Sequence, residues 1–469
     1  MIYNMKKFLT SVILLLSCLC FSQQRYKIGY EELRAYEGIY QYTNNTSLKI
    51  AASPKDTVLY AIINQSKYAL KPIAKDVFVN SSKENVVFLR DKETISGYTS
   101  GRDTFKLLSK KVFFPKEMWY PRFTANGKAY KYIYSAPKEY KDGLQTASLK
   151  KLGLDKALLT TMVDKIVAGN YANVHSVLIL KNNKLVFEEY FYQYTKDSLH
   201  ELRSASKSFI SALTGIAINK GVIKSINENV VPYFPEYDIA NKSDAKNRIT
   251  IENLLTNQSG LDCDISNDKS VGNETTMNYS DDWVKFTLDL PMSDVPGGKG
   301  MYCSGNPITL GRIIEKASGK ALPVFAKENL FEPLGITTFK WNFKPAKENA
   351  EDFCQVYLKP RDMVKFGQLY LNNGKWANKQ VISKDWVKQS MSKHSVIQNV
   401  NYGYLWWLKY LDANGVRYYG VGAQGNGGQR IYLLPEHDLV VVITGGNYNS
   451  QSPSDELIAK YILPAFNKK

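Results

Sequence analysis

Hydrophobic and polar positions along this chain follow two different periods. From about residue 30 to about residue 110 they alternate in short runs separated by turn residues, as in Tyr36-Glu37-Gly38-Ile39-Tyr40, Leu48-Lys49-Ile50, Thr57-Val58-Leu59-Tyr60-Ala61-Ile62 and Asn85-Val86-Val87-Phe88-Leu89. A period of two sends successive side chains to opposite faces of a strand, so this stretch predicts a small antiparallel sheet or barrel. A Pro- and Tyr-rich stretch, Phe114 to Tyr140, then leads through Lys141-Asp142-Gly143 to a different texture.

Beyond residue 150, longer runs with helical spacing predict helices at Ser204 to Asn219, Thr250 to Asn257, Ile308 to Ser318, Pro323 to Leu330 and Arg361 to Asn372. Val177-Leu178-Ile179-Leu180 and Lys184 to Tyr190 flank Lys181-Asn182-Asn183, which predicts a hairpin. A second hairpin is expected where Arg430 to Leu434 and Leu439 to Thr444 flank Pro435-Glu436-His437-Asp438. Strands at both ends with helices between them imply an α+β domain whose antiparallel sheet is built from both termini. The expected organisation is a β-rich module over 25–140 and a second domain over 150–469.

A chain of 469 residues exceeds one hydrophobic core, which agrees with that division. At the N-terminus, Lys6 and Lys7 precede the apolar run Phe8 to Phe21, too short to span a bilayer. It reads as an export signal over 1–22, cut after Ser22, with lipidation at Cys18 as the alternative, so the expected location is periplasmic or secreted. The net charge of +17 comes without a basic helix or an aromatic-basic stripe. That excludes a nucleic-acid binder and leaves anionic envelope polymers as the surface such charge favours. Three cysteines follow the signal, Cys263, Cys303 and Cys354, so at most one intrachain disulfide forms, with Cys263 and Cys303 the preferred pair.

The chemistry concentrates at Ser204-Ala205-Ser206-Lys207. On the first turn of a helix, residues i and i+3 share a face, so hydroxyl and amine meet. A serine needs a base to become a nucleophile, and a lysine serves if burial or a positive end holds it partly neutral. The same four-letter pattern at Ser135, Ser148, Ser243, Ser266 and Ser390 lies in polar or Pro-containing sequence and reads as solvated turn or helix surface. No Gly-x-Ser-x-Gly elbow is present, and His175, His200, His394 and His437 are scattered without metal spacing. The chemistry therefore calls for no metal and no cofactor. A second reactive candidate is Tyr302 in Gly300-Met301-Tyr302-Cys303-Ser304-Gly305-Asn306, whose phenol could exchange protons beside cations.

Taken together, these motifs resemble the serine β-lactamase and penicillin-binding-protein-like family in its class C branch. The resemblance covers roughly residues 150 to 465. Ser204-Ala205-Ser206-Lys207 resembles the nucleophile box, Leu254-Leu255-Thr256-Asn257-Gln258-Ser259-Gly260 the segment before the active-site loop, and Tyr302-Cys303-Ser304 the tyrosine motif, with Ser304 in place of the usual asparagine. The texture is closest to nylon-oligomer (aminohexanoate) hydrolases and related esterases, through Leu202 to Phe209, Arg361 to Gly367 and Gly425-Asn426-Gly427-Gly428-Gln429. The β-rich segment resembles the accessory barrel attached to such hydrolases, although that module usually follows the catalytic domain.

The resemblance implies an acyl-enzyme on Ser204, proton transfer by Lys207 and Tyr302, and an oxyanion hole from the backbone amides of Ser204 and Asn426. Gln424, Gly425 and Ser304 would line the substrate. Where β-lactamases carry a cation and a hydroxyl, the chain has Gly422-Ala423-Gln424-Gly425. A small ester or amide is therefore the expected substrate, ahead of a β-lactam or a D-alanyl peptide. A different class of reading is an inactive protein that binds envelope peptides in the same cleft.

Overall fold

The computed structural model describes residues 26–43, 46–63, 66–122, 130–267, 269–345, 347 and 352–466. The expected export signal and Cys18 lie outside the described residues. Among the described residues no helix is long and apolar enough to cross a membrane. The chain forms two compact units, Met1–Phe114 and Pro115–Lys469.

In the first unit, eight strands from Gly38–Gln41 to Asp103–Ser109 close into a barrel. Closure is made by the first strand pairing with the last, Tyr40 opposite Leu107, which leaves no open sheet edge. The alternation seen in the sequence turns Tyr40, Phe78, Phe88, Tyr98 and Phe105 inward, all buried. Their rings meet mostly edge to face, as at Phe78 and Phe88 with centroids 5.4 Å apart, so the barrel interior is a packed aromatic core.

The second unit is built on a nine-stranded sheet. Its central strands are β1 (Val174–Lys181), β2 (Lys184–Tyr190), β3 (Trp407–Ala413), β4 (Val416–Gly425), β5 (Gln429–Leu434) and β6 (Leu439–Gly445), in spatial order β3-β4-β5-β6-β1-β2. Both expected hairpins form. Asn182 and Asn183 turn the first one with φ of 51° and 58°, the left-handed values that asparagine tolerates. The last strand, β6, pairs antiparallel with the first, β1, with Val177 opposite Ile443, so the two ends of the unit meet mid-sheet.

Every residue of β6 is buried because both faces of the sheet are covered. One face carries helices α1 (Ser206–Asn219) and α3 (Pro360–Leu371), and the other the helix Lys156–Val167 with the C-terminal helical turns. Helix α1 is apolar almost all round and ends where expected, with Gly221 at φ 70° two residues after Asn219. Phe209 of α1 stacks on Phe366 of α3 with centroids 3.7 Å apart. Burying such a ring contributes roughly 1.5–3 kcal/mol. Two polar members of α1 are tied to neighbouring segments: Ser206 Oγ accepts from the Val356 amide at 3.1 Å, and Ser208 Oγ donates to the Leu405 carbonyl at 2.7 Å. Gly367 lets α3 lie directly on the sheet, since a Cβ there would come within 2.5 Å of Val440.

The unit boundary falls earlier than the sequence suggests. Residues 130–149, expected to finish the β-rich module and the linker, pack on the second unit. Tyr132 Oη donates to Glu189 Oε1 at 2.6 Å, and Tyr134 Oη donates to the Val186 carbonyl at 2.9 Å. Tyr132 and Tyr134 are anchors whose partners lie on β2. Ser390 also differs from its expected solvated setting: it is fully buried, with its hydroxyl donating to the Trp386 carbonyl at 2.7 Å.

Candidate active site

Ser204 sits in a 3-10 turn, Arg203–Ala205, that runs directly into α1. The turn is held under strain, for Arg203 takes φ of 50°, a left-handed conformation that costs about 1–3 kcal/mol for a non-glycine residue. Two contacts hold it. The Arg203 guanidinium pairs with the fully buried Glu201 carboxylate at 3.0 Å and lies over the Tyr448 ring, 4.9 Å from its centroid. From the sheet, Gly425 at the end of β4 comes so close that a Cβ would lie 2.2 Å from the Leu202 carbonyl oxygen. Gly425→Ala is therefore expected to displace the turn and lower turnover by about 100-fold, with far-UV circular dichroism unchanged, as small misplacements of reacting groups do.

Lys207 Nζ donates to Ser204 Oγ at 2.9 Å, the contact that the i, i+3 spacing implies. On its other side lies Tyr302, with its ring centroid 5.2 Å from the Lys207 ammonium. The expectation that burial would hold Lys207 partly neutral is overturned. Burial is the largest single influence and pulls its pKa down, but Tyr302 and then Glu274 outweigh it and leave the group above its ordinary value. The resting lysine is an ammonium. Cys354 is free, and burial pushes its thiol up to about 12 against the pull of Lys207, so it stays protonated and unreactive.

Tyr302 is buried and precedes α2 (Gly305–Ser318), with Trp407 5.2 Å and Tyr402 6.3 Å from its ring centroid. Its segment is braced from several sides. Cys303 and Cys263 form the disulfide that the sequence favours. Asn257, at φ 55°, accepts from the Met301 amide through its carbonyl and from Asn306 Nδ2 through its side chain, both at 2.9 Å. Ser304 Oγ donates to Glu274 Oε2 at 3.1 Å.

The remaining expected residues divide by strand parity. Ala423 shares the core face with Leu202 and Ala205, whereas the Gln424 side chain points the other way, its Nε2 donating to Tyr432 Oη at 3.1 Å in the opposite core. Asn426 follows Gly425 and is fixed by its neighbours: Gln429 Nε2 donates to its carbonyl at 3.2 Å, and its side chain makes a reciprocal pair with Asn449. Arg430 is tied to Asp455 at 2.8 Å, and Lys409 holds the other oxygen of that carboxylate.

Sequence reasoning missed Glu274 and the buried histidine pair. Glu274 carries no motif and lies 70 residues after Ser204 in the chain. His175 Nδ1 and His200 Nε2 are 2.8 Å apart, and His200 Nδ1 faces the carbonyl of Glu201, the residue that pairs with Arg203. Among the described residues no group of three or more His, Cys, Asp or Glu side chains could hold a metal ion. Burial pulls His200 down to about 4 from 6.5, so it is neutral in the native state. Its proton uptake favours the unfolded chain as pH falls below 6.5, and the loss is nearly complete at 4, amounting to about 3 kcal/mol. Urea unfolding at pH 7 and pH 4 is expected to show that drop in the native protein and a smaller one in His200→Gln.

A family model described as Beta-lactamase matches residues 161–462, and the chain belongs to that family, a family of serine hydrolases. Protein flp of Staphylococcus aureus (strain MRSA252) is 27% identical over 205 residues, covering 40% of this chain and 40% of that protein. The chain thus matches well under half the length of this curated relative. The 6-aminohexanoate-dimer hydrolase of Paenarthrobacter ureafaciens is 25% identical over 293 residues, covering 56% and 70%. Among solved structures, EstCE1, a hydrolase with promiscuous acyltransferase activity, shares the fold with a TM-score of 0.52 and 15% identity, covering 65% of this chain and 97% of that one.

Proposed function

We propose that the protein is an exported serine hydrolase that cleaves a small ester or amide through an acyl-enzyme on Ser204. The observation that carries this reading is the 2.9 Å contact of Lys207 Nζ with Ser204 Oγ, beside Tyr302, at the head of a buried helix. Ser204 Oγ attacks the substrate carbonyl and its proton passes to the Lys207–Tyr302 pair. The positive charge of Lys207 beside Tyr302 favours that transfer. The pair then returns the proton to the departing alcohol or amine as the carbonyl–heteroatom bond breaks. Water enters, gives a proton to the pair and attacks the acyl carbon, and Ser204 regains its proton as the acid leaves. The backbone amides of Ser204 and Asn426 hold the oxyanion, a role supported by the close fit of Gly425 against Leu202 and by the bracing of Asn426.

A neutral substrate is favoured over a β-lactam because the strand beside the nucleophile offers no cation for a carboxylate. Ala423 has no charge, Gln424 turns to Tyr432, and Arg430 is held by Asp455. A charged hydrogen bond to a carboxylate is worth about 1.5–3 kcal/mol, or about 10- to 150-fold in discrimination. A nitrophenyl ester is expected to exceed a chromogenic cephalosporin in kcat/KM by tenfold or more. A cephalosporin that wins by that margin would make β-lactamase the function. The names of the aminohexanoate-dimer hydrolase and of EstCE1 support the ester or amide class. Retention of serine, lysine and tyrosine together weighs against an inactive peptide binder.

A further inference from the structure

The two backbone amides assigned to the oxyanion belong to separate parts of the chain, Ser204 in the turn before α1 and Asn426 just past β4. Their separation decides whether both donors reach one oxygen. Gly425 lets the two segments touch, but contact at one point leaves them free to twist against each other. A third segment meets both. β6 ends at Gly445, and the chain continues through Gly446-Asn447-Tyr448-Asn449. On one side the buried Tyr448 ring faces the Arg203 guanidinium, 4.9 Å from its centroid, and Arg203 is the strained residue joined directly to the Ser204 amide. On the other side the same loop grips residues 426 and 427. Gly427, at φ 90°, packs on the same ring, where a Cβ would lie 2.7 Å from Tyr448 Cε1, and its carbonyl accepts from the Asn447 amide at 3.0 Å. Asn426 Nδ2 donates to Asn449 Oδ1 at 2.7 Å, and the Asn449 amide donates back to Asn426 Oδ1 at 2.9 Å. The loop is itself anchored to the residues that lead into β1. The Gly446 amide donates to the Asn173 carbonyl at 2.8 Å, and Asn447 Nδ2 donates to the Ala172 carbonyl at 3.0 Å.

We propose that loop 446–449 is the brace that sets the spacing of the oxyanion hole, with Tyr448 and Asn449 as positioning residues that act through Arg203 and Asn426 rather than on the substrate. The inference rests on the hydrolase reading above and extends it to residues outside its motifs. One ring held between a cation and a glycine backbone couples the two segments, because a shift of Arg203 moves Tyr448 and with it the peptide that follows Asn426. The attraction between cation and ring face strengthens where both are shielded from water. The reciprocal amide pair fixes Asn426 in rotation as well as in distance, which a single hydrogen bond would not do.

The test measures hydrolysis of 4-nitrophenyl butyrate and of its thionoester, in which sulfur replaces the carbonyl oxygen. Sulfur is larger and a weaker acceptor, so a well-set oxyanion hole favours the oxygen ester and a loosened one discriminates less. Tyr448→Leu is expected to lower kcat on the oxygen ester by about 10- to 100-fold, with KM within about threefold of native, and to shrink the oxygen-to-sulfur preference about tenfold. Acylation and deacylation both pass through the oxyanion, so the loss shows in kcat whichever step is slower. Tyr448→Phe keeps the ring that meets Arg203 and Gly427, and it should keep both rate and preference. Asn449 is exposed, so Asn449→Ala leaves the core untouched and should move kcat and the preference in the same direction by about threefold or more. Should Tyr448→Leu fail to fold, Asn449→Ala decides. A native oxygen-to-sulfur preference in Asn449→Ala and Tyr448→Leu, whatever their rates, or an equal loss in Tyr448→Phe and Tyr448→Leu, overturns this inference alone. Failure of the native protein on every ester, with Ser204 unlabelled by a fluorophosphonate, overturns the hydrolase reading itself.

Discussion

Ser204→Ala is expected to abolish ester turnover while leaving the fold intact. The alanine keeps the backbone of the Arg203–Ala205 turn and removes one oxygen from a partly buried site, so the buried helix behind it has no reason to move. What is lost is the atom that forms the acyl bond, and no neighbouring nucleophile can replace it. Cys354 stays protonated, and Ser206 and Ser208 are committed to backbone partners. Steady-state kinetics on a nitrophenyl ester should therefore fall to background, with the melting temperature within a few degrees of the native value. Substantial activity in the alanine variant would place the nucleophile elsewhere.

Lys207→Ala and Tyr302→Phe are each expected to slow acylation by about 100-fold or more, the usual scale for loss of positioned proton transfer. The two groups lie side by side and act on one proton, so the double variant should lose less than the product of the single losses. The pH dependence follows from the same pair. Lys207 is held above its ordinary pKa, and the pair must shed one proton before Ser204 can give up its own, so kcat/KM should rise with pH on the alkaline side of neutrality. Multiplicative losses would reduce Tyr302 to a packing residue. A rate that is flat from pH 7 to 10 would show that Lys207 is neutral at rest.

Local features were legible in the sequence. The Ser204–Lys207 contact depends on helical spacing within four residues, and the two hairpins depend on turn residues lying between complementary strands. The alternation over Tyr36 to Leu89 also foretold strands of the small barrel. Features that depend on distant pairing were not legible. His175 and His200 meet because the chain returns from β2 to the head of α1, and no spacing rule links positions 25 residues apart. Gln424 faces away from the cleft because strand parity puts it on the side of Tyr432, which the motif alone does not fix. The charge state of Lys207 was misjudged because its neighbours Tyr302 and Glu274 come from segments 95 and 67 residues away. The early unit boundary was missed because the partners of Tyr132 and Tyr134 lie on β2, beyond the reach of composition.

The most direct test of the central claim is to react the protein with a fluorophosphonate and map the adduct by peptide mass spectrometry. A single phosphonyl group on Ser204, lost in Ser204→Ala and slowed in Lys207→Ala, is the expected result. Labelling at Ser266, Ser390 or another hydroxyl, or no labelling of a protein that still hydrolyses esters, would contradict an acyl-enzyme on Ser204.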